Sequence, residues 1–177
     1  MKARKGYLMI EVAISVCIIL LIVSILYGLL FFGLNIYKKL HSSIEIQQQG
    51  IEIQNHIENE LKNGIEIISV KTKDNQIITS KEFDYTSVIS IKYKPINRED
   101  NVGFDELFLN KKTSKIFIKR RNASSGHEIG DYLDNIYISK ANGGNIINIK
   151  LELSKNIQSY FIEFTLYNNQ KNMGEVI

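Results

Sequence analysis

The apolar run from Tyr7 to Leu34 constrains this chain more than any other feature. Its 28 residues include one acidic side chain, Glu11, and no Lys, Arg or His. As a helix it would be about 42 Å long, against a bilayer hydrocarbon core of roughly 30 Å. A carboxylate at the centre of a bilayer helix costs about 2.5–3.5 kcal/mol on insertion scales, and less near an end. Glu11 therefore needs a partner, and a functional role is its default reading.

Three readings of the N-terminus compete. An ordinary secretory signal has a basic region, an apolar stretch of roughly 7–15 residues and a small-residue cleavage site after it. Here the run is too long, and no A-x-A-like site closes it. A plain signal anchor fits the length but gives no reason for Glu11. Cleavage between Gly6 and Tyr7, before the helix, explains both features. It would leave the helix in the mature chain and create an α-amino group at Tyr7. The charges agree with this division. Of 22 Lys and Arg against 19 acids, the excess of three is Lys2, Arg4 and Lys5, so the chain beyond Gly6 is formally neutral. The excess charge thus argues little for nucleic-acid binding by the remainder. The same three residues, against Lys38 and Lys39 after the run, favour an inside N-terminus and an outside C-terminus.

The stretch Gly6-Tyr7-Leu8-Met9-Ile10-Glu11-Val12 resembles the class III signal of type IV prepilins and pseudopilins, G-F-T-L-I-E-V. It differs by Tyr for Phe, Leu for Thr and Met for Leu. The resemblance implies cleavage by a prepilin peptidase and N-methylation of Tyr7. It also implies assembly of the helices, with Glu11 paired to the Tyr7 amine of a neighbouring subunit. A helix-N-terminal acid favoured by the macrodipole, worth about 0.3–1 kcal/mol, is the plainer account of Glu11 and is compatible with the first.

The helix is expected to continue past the run. No proline occurs from Asn35 to Asn63, and Gly50 is the only glycine there. Leu40, Ile44, Ile51 and Leu61 recur at helical steps, and Ile46, Ile53 and Ile57 widen the apolar stripe. Asn63-Gly64 supplies a stop. Small residues (Ala13, Ser15, Ser24, Gly28 and Gly33) would permit close helix approach, but at no regular spacing.

After Gly64 the period changes to two. Strands are expected at Ile65–Val70, Gln76–Phe83, Val88–Lys94, Glu106–Asn110, Lys115–Arg121, Tyr132–Ser139, Asn145–Leu153 and Tyr160–Tyr167. Asn75 and Asn110–Ser114 read as turns, and Ala141-Asn142-Gly143-Gly144 is the strongest hairpin signal. An antiparallel sheet laid on the second half of the helix is the economical arrangement, giving an α+β fold. The order Asp134–Ile138, Asn145–Leu153, Tyr160–Tyr167, with Lys115–Arg120 before it, looks most like the W-type minor pilins and J-type minor pseudopilins.

Catalytic chemistry is not legible. His41, His56 and His127 are scattered, and no G-x-S-x-G, phosphate loop or H-E-x-x-H occurs. Cys17, the only cysteine, lies in the apolar run. Arg98-Glu99-Asp100 with Asp105-Glu106 could offer oxygens to Ca²⁺, but without the Asp/Asn alternation of a calcium loop; a solvated loop is the plainer reading. Lys111, Lys112, Lys115, Lys119, Arg120 and Arg121 share one hairpin, which could touch nucleic-acid phosphates or an acidic surface. Charged edge strands that discourage aggregation are commoner.

The resulting expectation is a non-enzymatic minor pilin without metal or cofactor. Residues 1–6 form a cleaved leader, 7–34 a transmembrane assembly helix, 35–63 its amphipathic continuation and 64–177 an antiparallel β domain of the pilin type. The resemblance implies a single-pass cytoplasmic-membrane protein with its C-terminal domain outside, later part of a surface pilus. Its implied partners are other pilin subunits, the prepilin peptidase and the pilus assembly platform. The alternatives are a pseudopilin of a type II secretion or DNA-uptake machine, and a membrane-anchored sensor or adhesin.

Overall fold

A computed structural model describes residues 2–62, 64–95 and 103–167, with the side chains of 2–6, 64 and 65 left undescribed. Among the described residues one α-helix, α1 (Lys2–Lys62), is followed by nine strands, with a short 3-10 turn at Asn142–Gly144. It divides into two compact units, residues 1–41 and 42–177.

The first unit is the N-terminal part of α1. Every described side chain from Tyr7 to Leu34 is exposed. This part of α1 is long and apolar enough to cross a membrane, which is compatible with single-pass anchoring. Exposed apolar surface on this scale marks a membrane or protein contact.

The second unit is α+β. Its strands are β1 (Gly64–Thr72), β2 (Ile77–Ile78), β3 (Phe83–Pro95), β4 (Asp105–Asn110), β5 (Lys115–Lys119), β6 (His127–Gly130), β7 (Leu133–Ala141), β8 (Ile146–Lys155) and β9 (Gln158–Tyr167). All pairings are antiparallel, in the order β6-β5-β4-β3-β7-β8-β9, with β1 on β3 and β2 on β1. The 13 residues of β3 give it room for three partners: β1, β4 and β7. One face of the sheet, through Ile91, Leu107, Ile116, Ile136, Ile149 and Leu151, joins Ile53, Ile57 and Leu61 of α1 in the core.

The helix buries a different stripe from the one its leading isoleucines suggest. Leu40, Ile44 and Ile51 are 57, 55 and 50% exposed, whereas Ile46, Ile53 and Ile57 are at most 1% exposed. At 100° per residue the two sets lie on opposite sides of α1, so they form two stripes and not one wide one. The sheet takes the side that carries Gly50. A Cβ there would stand 2.9 Å from Cε1 of Tyr160, so only glycine admits the ring.

Two strand assignments also change. The expected strand Gln76–Phe83 shrinks to Ile77–Ile78, because the Ser80 hydroxyl bonds the backbone of Glu82 and forms a local turn instead of a ladder. Phe83 instead begins β3, five residues before the expected start at Val88. The short β6 gives no strand signal in sequence, since it carries one apolar side chain, Ile129, in a Ser- and Gly-rich stretch. The expected stop at Asn63 lies outside the described residues, though α1 ends at Lys62 and β1 begins at Gly64.

Candidate functional site

Two groups of residues merit the name of a site: the Gly6/Tyr7/Glu11 signal and the charged residues around Arg120. Tyr7 and Glu11 are four residues apart in α1, which puts them one turn apart on the same side. Tyr7 is 79% exposed, and Glu11 is exposed among apolar neighbours. One turn further on, the Ser15 hydroxyl donates to the Glu11 carbonyl at 2.9 Å. That bond satisfies a hydroxyl which would otherwise face an apolar medium unpaired.

The basic hairpin does not present its six cations alike. Lys111 and Lys112 lie in the turn between β4 and β5, both exposed. Burial, and then the neighbouring Lys73, push the Lys111 ammonium below its ordinary pKa. Lys115 bonds Glu128 of β6 at 2.7 Å, and this contact raises its pKa. On β5, Ile116 and Ile118 point inward, while Lys115 and Lys119 lie at the alternate positions of the strand.

Arg120 turns the other way, toward α1. Its guanidinium donates to both oxygens of Glu60 at 2.6 and 2.7 Å, and to Asp105 Oδ2 at 2.9 Å. The Glu60 contact is the main reason its pKa lies above the usual arginine value. Asp105 is fully buried and also accepts the Arg121 backbone N–H at 3.1 Å. Tyr93, likewise buried, donates to Glu60 at 2.7 Å. Its burial, and then Glu60, hold the phenol far above its ordinary pKa. Asp105 is thus occupied by Arg120 and Arg121, while Arg98, Glu99 and Asp100 lie outside the described residues. Among the described residues no group of three or more His, Cys, Asp or Glu could hold a metal.

A second cluster binds the helix further up. Glu45 accepts from Tyr132 at 2.9 Å and pairs with Lys155, whose ammonium also stands 4.4 Å over the Tyr132 ring. Gln49 accepts the Asp131 backbone N–H at 3.2 Å. Tyr132 holds φ at +62°, a conformation a non-glycine residue adopts at a cost. Sequence reasoning missed both helix-to-sheet clamps. Their only sequence trace is Glu45 and Glu60 beside the apolar stripe of an amphipathic helix.

No family model, curated protein or solved structure matches this chain.

Proposed function

We propose that the chain is a minor pilin: cleaved after Gly6, methylated at Tyr7 and built into a type IV filament through the first part of α1. The observation that carries the reading is Glu11, the sole acid in an otherwise apolar run, five residues beyond a glycine that ends a basic leader. The α+β architecture supports it, with a long helix whose second part packs on an antiparallel sheet. Within an apolar assembly the Glu11 carboxylate needs a cation, and the Tyr7 amine of a neighbour supplies one without adding a charged side chain. A pair so poorly screened sets axial register as well as affinity.

The test is mass spectrometry of the N-terminus of protein recovered from membranes. A mature chain beginning at methylated Tyr7 is expected. An intact Met1, in cells whose own pilins are processed, would sink the proposal.

A further inference from the structure

The outer face of the sheet holds a cleft that no assembly role explains. Registers align Tyr137 of β7, Lys150 of β8 and Glu163 of β9 in one row across the strands. Asn135, Glu152 and Phe161 form the next row. Tyr85 of β3 closes the first row from above: its hydroxyl donates to Glu163 at 2.5 Å. β3 and β9 stand three strands apart, roughly 14 Å on a flat sheet at about 4.8 Å per strand. The bond therefore requires the sheet to be concave on this face. Beneath it lies an open cavity of about 280 Å³ lined by Tyr85, Tyr137, Lys150 and Glu163.

The lining selects its ligand by exclusion. One ammonium and one carboxylate leave it without net charge. A phosphate would meet Glu163 and a cation would meet Lys150, while Glu152 in the next row already accepts from Asn135 at 2.6 Å and Tyr137 at 3.3 Å. A purely apolar ligand would strip water from two phenols and a carboxylate and give nothing back. A peptide could not add a strand at β7 or β8, whose edges are both paired, and one added to the outer edge of β9 would lie beside the cleft and not in it. What remains is a neutral molecule with apolar faces and a rim of hydroxyls. Tyrosine rings accept such faces, while the carboxylate accepts from hydroxyls and the ammonium donates to them. The Tyr85 phenol stays a donor well into alkaline solution, because its bond to Glu163 raises its pKa. The volume lies just below the roughly 300–1,000 Å³ usual for small-molecule sites, suited to a single ring.

We infer that this cleft binds one neutral sugar ring, free or within a glycan, between Tyr85 and Tyr137 with its hydroxyls on Lys150 and Glu163. The inference does not depend on filament assembly.

Saturation-transfer NMR on the full chain, in a detergent without a sugar head group, tests it. The probes are glucose, galactose, mannose, N-acetylglucosamine and N-acetylgalactosamine, with N-acetylneuraminic acid and trialanine as competitors. At least one neutral sugar is expected to receive saturation, and Tyr137→Leu and Glu163→Gln are expected to weaken its binding tenfold or more. Should Tyr137→Leu lower the thermal midpoint, Glu163→Gln alone decides. No transfer to any of the five, undiminished binding in Glu163→Gln, or a preference for the acidic sugar or the peptide would overturn the inference.

Discussion

Gly130 lies so close to Ile53 that a Cβ on the glycine would stand 2.2 Å from Ile53 Cγ1 and 2.5 Å from its Cδ1. Ile53 is fully buried, so neither side has room to yield. Gly130→Ala is expected to destabilise the second unit by about 1–3 kcal/mol, the usual cost of overpacking. Ile53→Ala, which removes both of those atoms, should cost less in the Gly130→Ala background than alone, a coupling that thermal unfolding of the double-mutant cycle would read. Additive losses would place the strain elsewhere.

Arg120 neutralises Glu60 and the fully buried Asp105 together. Removing one partner of a buried pair typically costs about 3–5 kcal/mol, because the other charge is left behind. The Arg120 side chain is 43% exposed, which screens the interaction, so Arg120→Ala is expected to cost about 2–3 kcal/mol. Arg120→Lys should recover less than half, since an ammonium cannot reproduce the two-pronged contact with Glu60. Denaturant titrations of the three proteins would check the order.

Tyr93 gives the fold an alkaline limit. Its phenol is pushed above the ordinary value of 10 by burial and by Glu60, so it stays protonated in the folded chain after the unfolded chain has lost its proton. That contribution to stability is complete below pH 10 and is lost as pH rises above it, at about 1.4 kcal/mol per pH unit. Tyr93→Phe is expected to lower stability by about 1–2 kcal/mol at neutral pH, for one hydrogen bond to a charged acceptor. It should also make the decline above pH 10 shallower. Parallel slopes in the two proteins would refute the assignment.

Glu11→Ala addresses the filament. The variant is expected to insert in the membrane and to be cleaved after Gly6 as usual. It should fall at least tenfold in the filament fraction sheared from cells, as immunoblots of sheared and membrane fractions would show. Normal incorporation would mean that the carboxylate pairing is dispensable.

Much of this fold is legible where local chemistry decides it. Asn142, Gly143 and Gly144 all adopt positive φ between β7 and β8, in the hairpin that an Asn-Gly-Gly sequence favours. The alternation in β9 likewise marks Phe164 and Leu166 for the core. Choices made by packing are not legible. The helix offers two apolar stripes, and the sheet covers the one beside Gly50, where the ring of Tyr160 is seated. The six basic residues of the β4–β5 hairpin read as one surface in sequence. In the fold Arg120 is drawn to Glu60, sixty residues earlier, and Lys115 to Glu128. The cleft was hidden for a similar reason: Tyr85, Tyr137, Lys150 and Glu163 occupy ordinary outward positions, and only the curl of the sheet brings the first to the last.

The clamps that hold the helix to the sheet also bear on how the chain is made. They join Glu60 to Arg120, Glu45 to Tyr132 and Ser42 to Asn156, pairs separated by 60, 87 and 114 residues. Ile46, Ile53, Ile57 and Leu61 leave the ribosome before any strand that will cover them. About a hundred residues separate Leu61 from Phe164 in the closing strand, and synthesis at roughly 5–20 residues per second takes about 5–20 s to cross that distance. During those seconds the stripe gains its cover strand by strand, with β1 and β3 the first to be made and β9 the last, while the more apolar run ahead of it has already emerged. In this unit the first apolar surface to be synthesised is fully enclosed only when the last strand, which seats Tyr160 on Gly50, has been made.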